Sequence, residues 1–338
     1  MIQRVGRQTL KFENMPRVVS FAAAGSQKEM EGPLGDRLDI ADPDPYFGQK
    51  TWEKAESTIQ KQVLSRALKK GGLQPEQIDY VFAGDLLNQC IASSFGLRGF
   101  HIPLVGLYGA CSTMAESLCM AGIFVESGCA EYAAGVASSH FCTAERQFRM
   151  PLPYGSQRTP TAQWTVTGGG CVVLGKQGSV GIQHVTIGRI VDLGVTDANN
   201  MGAAMAPAAA DTISAHLKET GRSPNFYDLI VTGDLGTVGS QLVLDLLKQE
   251  GLNLSNHADC GCMIFDLQKQ DVHAGGSGCG CSASVLTGYL LPGLRSGKWK
   301  NILFCPTGAL HSPTATAQGD SIPGISHAVA ISARREGK

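Results

Sequence analysis

Apolar residues recur at helical spacing in WEKAESTIQKQVLSRALKK (52–70). Trp52, Ala55, Ile59, Val63, Ala67 and Leu68 share one face there, with charges opposite, which predicts an amphipathic helix. The runs YVFAG (80–84) and LIVTG (229–233) are apolar at every position, as expected of short strands covered by helices on both sides. A second helix is predicted to start at Pro207, a good first-turn residue, and to continue through Ala208–Ala210, Ile213 and Leu217. Each Gly-Asp strand end is followed by a further helix, a strand and a turn of small residues, GACST at 109–113 and GGSGCGCSAS at 275–284. The alternation of strand and helix predicts an α/β protein, and ligands in such folds gather at strand ends.

The pattern repeats. LKKGGLQPEQIDYVFAGDL (68–86) and LKETGRSPNFYDLIVTGDL (217–235) align at a constant offset of 149, which pairs Leu68 with Leu217, Gly72 with Gly221, Pro75 with Pro224, Asp79 with Asp228, Gly84 with Gly233 and Asp85 with Asp234. Each copy reads as a helix ended by Gly, a Pro turn and a short strand closed by Gly-Asp. The chain is therefore divided into two βαβ-rich halves, 1–178 and 179–338. Its 338 residues are too many for one ordinary core and suit a fused pair.

Composition narrows the function. A net charge of −1 points to no nucleic acid and no polybasic membrane contact. The first residues lack the apolar core of a signal peptide, and no run approaches the ~20 apolar residues that span a bilayer. The 11 cysteines are scattered and odd in number, which suits a reducing compartment better than a disulfide framework. The C-G-C pairs at 260–262 and 279–281 are too tight for zinc-ligand spacing, so no metal site is expected.

Cys111 stands in YGACST (108–113), between an apolar stretch and a predicted helix, and reads as a nucleophile, a relic of one, or a buried thiol. A helix N-terminus there favours the thiolate. His140 and Ser139 end the predicted strand EYAAGVASSH (131–140), whose tip is expected to face the same pocket. Arg146 and Arg149 follow, three apart and so on one face of a helix, with Phe141 and Phe148 nearby: guanidinium forks and a flat wall suit a planar anion. A surface ion pair with Glu145 is the alternative for the arginines. Asp85 is assigned to the pocket and Asp234 to a structural strand-end cap.

Duplicated α/β halves, a Cys at a strand-to-helix turn of the first and a Gly/Ser turn in the second resemble the thiolase superfamily, which includes the ketoacyl synthases. TVTGGGCVVLGKQG (165–178) is similar to the glycine-rich strand that closes their first half. The resemblance implies a thiolase-like fold with five α/β/α/β/α layers and a homodimer. Within the superfamily, PLGDRLD, AGDLLNQ, SSHFCTAERQFR, DLGVTDANNMGAAMAPAAADTI and TGALHSPT resemble a family of sporulation proteins of spore-forming bacteria. That likeness implies a protein that binds dipicolinic acid (pyridine-2,6-dicarboxylate), alone or with Ca2+, and supports its uptake into the forespore. It also implies membrane proteins of the same sporulation operon as partners, and a location in the cytoplasm or at the forespore inner membrane.

Condensing enzymes of the superfamily carry a His after the strand that matches LIVTG, and Gly-Asn or Gly-His in the second turn. Here those places read TGDLG and GSGCGCS. The nucleophile position is kept while its helpers are missing, so the expectation is a binding protein without turnover. The ligand-binding residues expected are Asp85, Cys111, Ser112, Ser139, His140, Arg146, Arg149 and Cys279. An acyltransferase using Cys111 with His140 or His273 is the rival reading, and a scaffold with a vestigial pocket is a third.

Overall fold

The computed structural model describes residues 1–148 and 158–333. The amphipathic helix forms as the pattern predicts, over Trp52–Gly71, with Ala55, Ile59, Val63, Ala67 and Leu68 buried. Thr51 caps its start by accepting from the Lys54 N–H. Gly72, at φ 65°, ends it in the left-handed conformation that favours glycine.

The repeat mate is the helix Met201–Thr220, ended by Gly221, also at φ 65°. It begins six residues before the predicted Pro207, because the Asn200 side chain caps it by accepting from the Ala203 N–H. Pro207 lies inside the helix. The extra turns pack closely: Gly202 lies against Gly239 of the helix Gly236–Gln249, and a Cβ at either position would meet the other's backbone.

Strands of both halves join one 13-stranded mixed sheet. In the first half, Tyr80–Gly84 pairs in parallel with Leu104–Gly106 and with Ala133–Ser139. In the second, Leu229–Thr232 pairs in parallel with His257–Asp259 and with Asn301–Cys305. Antiparallel strands connect them, with Val180–Thr186 paired to Ala328–Ala333 and, at Gly181, to Arg17.

The apolar residues segregate into three clusters. One lies between the helix Trp52–Gly71 and the first-half strands, and another between the helices Met201–Thr220 and Gly236–Gln249 and the second-half strands. The third, in the middle, holds the helices Thr113–Glu126 and Cys279–Val285 and touches strands of both halves. Helices thus cover the joined sheet from outside in each half, and two more lie in its interior. Both small-residue turns open the two central helices, so they meet in the interior.

Candidate functional site

GACST forms a tight turn. Gly109 leads into Ala110, which takes φ 48°, and Ala110–Ser112 make one 3-10 turn before the helix Thr113–Glu126. The hydroxyls lock it: Ser112 Oγ donates to the Gly109 carbonyl (2.7 Å) and Thr113 Oγ1 to the Ala110 carbonyl (2.6 Å). Gly308 presses on the turn from the neighbouring Thr307–Ala309 strand. A Cβ there would clash with the Gly109 carbonyl and stand 3.2 Å from the Cys111 nitrogen.

Cys111 is buried, and the Asp234 carboxylate stands close enough to act electrostatically on its thiol. Asp234 occupies the place after LIVTG where a condensing enzyme needs an imidazole. Its Oδ2 accepts from the Gly278 N–H (3.0 Å) and Ser277 Oγ (3.1 Å), and its Oδ1 from Thr307 Oγ1 (3.0 Å). Burial pushes Asp234 up to about 7, against the opposing pull of the Cys111 thiol. Burial and the Asp234 charge together hold the Cys111 thiol well above its ordinary range. The expectation of a favoured thiolate is thus reversed, because desolvation and a facing carboxylate outweigh the helix end.

Asp85 and Asp234 exchange the roles expected of them. Asp85 accepts from the Leu87 N–H (2.9 Å), the Ser93 N–H (2.8 Å) and Ser93 Oγ (2.6 Å), so it fastens its own loop. In the second half that task falls to Asp259, which accepts from the Leu235 and Gly236 N–H groups and Thr232 Oγ1. Asp234 is thereby released to reach the thiol.

Cys111 opens onto a cavity of about 70 Å3. Leu86, Phe148, Met201 and Met205 form apolar wall, while Thr165, Ser277, Glu145 and His311 bring polar groups. The His311 ring stands 5.6 Å from that of Phe148.

The other expected residues are distributed differently. Ser112 and Ser139 are fully buried, with Ser139 Oγ donating to the Val166 carbonyl (2.7 Å). Cys279 is buried as well, its thiol donating to the Ser138 carbonyl (2.9 Å). His140 faces a separate pocket beside Lys28 and Trp164. There its Nε2 meets the Pro45 carbonyl at 2.8 Å and its Nδ1 accepts from the Cys142 N–H. Arg146 pairs with Glu53 and covers the Trp52 ring, away from Cys111. Arg149 lies outside the described residues. His273 sits between the Thr159 carbonyl and Asp271. Among the described residues, no group of three His, Cys, Asp or Glu is arranged to hold a metal.

The sequence reading passed over His311, Glu145, Thr165 and Ser277 as pocket residues. For His311 a signal existed, since TGALHSPT follows the strand adjacent to LIVTG and so ends at the same sheet edge. Thr165 and Trp164 are successive residues of one short strand, and they face the two different pockets.

Comparison with solved structures places the fold. The 3-oxoacyl-(acyl-carrier-protein) synthase III of Aquifex aeolicus superposes with a TM-score of 0.58 at 13% identity, covering 94% of this chain and 99% of that one. OleA from Xanthomonas campestris gives 0.61 at 14%, covering 98% and 100%. The fold is thiolase-like, as the sequence resemblance implied. Among the described residues, no helix is long and apolar enough to cross a membrane. The stage V sporulation protein AD of Bacillus subtilis is 44% identical over 326 residues, 96% of each chain. With a model of that family matching residues 6–332, this chain belongs to the stage V sporulation protein AD family.

Proposed function

We propose that the chain is a dipicolinate-binding protein of sporulation that uses the condensing-enzyme pocket as a receptor and runs no acyl transfer there. One observation carries this reading: Asp234, fixed by Ser277, Gly278 and Thr307, puts a carboxylate beside the Cys111 thiol where chemistry would need an imidazole. Enolate formation requires donors that stabilise negative charge. A carboxylate in that place does the opposite. The neutral thiol is left at the floor of a pocket with a Phe148 wall, Thr165 and Ser277 hydroxyls and the His311 imidazole, a set that suits a small planar ligand.

The remaining parts of the proposal follow from surface and family. Any Ca2+ enters bound to the ligand. The chain works as a homodimer through the free sheet edge at Leu104–Gly106, where Leu104 is 40%, Tyr108 45% and Phe95 55% exposed. Movement of the ligand into the forespore falls to membrane proteins of the same operon, with this chain at the inner membrane surface.

The test is calorimetric titration with dipicolinate, with and without Ca2+, beside Cys111→Ala and Phe148→Ala variants. Saturable binding weakened by either change supports the reading. Acyl-CoA turnover that Cys111→Ala abolishes would sink it in favour of the acyltransferase.

A further inference from the structure

Charge is segregated on this chain, and a net charge of −1 conceals it. The helix Trp52–Gly71 exposes Lys54, Lys61, Arg66, Lys69 and Lys70. At 3.6 residues per turn, Lys54, Lys61 and Lys69 fall within about 80° of one another and span about 22 Å of the helix axis, with Arg66 beside them. The two acids of this helix are engaged elsewhere. Glu53 pairs with Arg146, and Glu56 is buried, where it accepts from Ser138 and Thr143. A groove beside the helix is lined by Lys61, Arg66 and Lys69 and, from the neighbouring strand segment, by Asp39, Ile40 and Ala41. Asp39, the acid of that lining, is held by Lys70 at 2.9 Å and by the Ala23 N–H. Asp44, in the turn before the helix, accepts the N–H groups of Tyr46 and Gly48. Among the described residues, Lys54, Lys61, Arg66 and Lys69 have no ion-pair partner. Residues 149–157 and 334–338 carry four basic side chains and one acidic one, so they add no excess of negative charge. The repeat mate shows the contrast. On the helix Met201–Thr220, Asp211 pairs with Arg189, Lys218 with Glu250, and Glu219 accepts the Arg7 and Gln8 N–H groups. One half thus closes its outer charges in pairs, and the other leaves a row of cations open.

We infer that the outer face of the helix Trp52–Gly71 docks on an anionic lipid surface. This rests on the membrane-surface location proposed above, names the face involved, and is independent of the pocket. Four of the five exposed cations are Lys, a hydrated point charge on a flexible stem. Such groups suit a fluid layer of phosphates better than the fixed fork recognition that Arg provides. The positions between them are polar, Thr58, Gln62 and Ser65, with no aromatic or large apolar residue to anchor in a protein partner. An anionic leaflet attracts each Lys or Arg that lies within a Debye length of its surface. A straight row of them therefore adds its attractions together without any side chain entering the bilayer.

The experiment is co-sedimentation of the full chain with phosphatidylcholine vesicles, with and without phosphatidylglycerol, at low ionic strength. The expected result is partition onto the anionic vesicles alone, weakening steeply as salt is added. The triple variant Lys61→Gln, Arg66→Gln and Lys69→Gln lowers that partition about a hundredfold. The control Lys218→Gln, Lys248→Gln and Lys269→Gln removes the same charge from the second half and lowers it by no more than about twofold. Gln is a good helix former, so both variants fold, which circular dichroism checks. Equal losses in the two variants overturn the assignment of the face and leave the membrane-surface location standing. No partition by the wild type overturns the inference and leaves any hold on the membrane to protein partners. Binding of a fluorescent oligoglutamate peptide that the first variant loses, without vesicle partition, overturns it too and gives the face to an acidic protein.

Discussion

The two halves solve the same local problem twice and then diverge at one residue. Asp79 accepts the backbone N–H groups of Glu131 and Tyr132, and its repeat mate Asp228 accepts those of Lys300 and Asn301. Each aspartate thus ties the start of its strand to the start of the neighbouring one. Six residues on, Asp85 and Asp234 occupy equivalent strand ends but do different work. Asp85 closes its own loop, whereas Asp234 spans three segments and meets the thiol of the other half. The scaffold contacts are thus common to both halves, while in the second half Asp259 fastens the loop and Asp234 faces the site.

The comparison is broken most forcefully by Asp234→Ala. It leaves Thr307, Ser277 and the Gly278 N–H without their acceptor in the interior, and we expect a loss of about 3–5 kcal/mol by urea denaturation. Asp85→Ala strands as many donors but within one loop, at Leu87 and Ser93, and is expected to lose about 1–3 kcal/mol without unfastening the two halves from each other. Equal losses, with equal damage to ligand binding, would mean that the two aspartates do the same job after all.

Gly308→Ala probes the contact between the halves at the turn itself. The added methyl must push Gly109 and Cys111 away, at a cost of about 1–3 kcal/mol on the same denaturation curve. A variant as stable as the wild type would show that the turn has slack.

The gentler substitution sharpens the contrast. Asp234→Asn removes the charge that holds the Cys111 thiol up, and alkylation of Cys111 followed by mass spectrometry is expected to quicken about tenfold. Asp85→Asn should leave that rate within about a factor of two, since Asp85 is not among the groups that raise the Cys111 thiol.

The smallest effect is on pH dependence. Burial raises Glu29 from 4.5 to about 7, so its stabilising contribution is complete below pH 4.5 and fades as pH rises through 7. His257, lowered by burial from 6.5 to about 4, contributes above 6.5 and is lost as pH falls through 4. Denaturation midpoints of Glu29→Gln measured from pH 4.5 to 7.5 should lack the first slope and keep the second.

Much of this architecture was legible in the sequence, because periodicity and repeats encode what each element buries. The Trp52 helix, the two apolar strands and the paired Gly72 and Gly221 endings all follow from local pattern. The Asn200 cap was missed because Pro207 looks like a start while a polar cap before a run of small residues gives little contrast. The site was less legible still. Cys111 could be placed by its turn, but the choice between Asp85 and Asp234 depended on Asp259, which lies 25 positions beyond Asp234 in the sequence and has no repeat mate among the aligned pairs. His140 misled because a strand tip gives depth in the fold and not the side to which the chain turns next.

The joined sheet carries a mechanical consequence. Strands from both halves hydrogen-bond along a single ladder, and the middle apolar cluster belongs to neither half alone. Halves joined in this way are expected to unfold together, so calorimetric melting should show one cooperative transition in place of two. Under the proposed function, ligand capture is then left to side chains at the rim, and the pocket would act as a fixed socket more than a closing jaw.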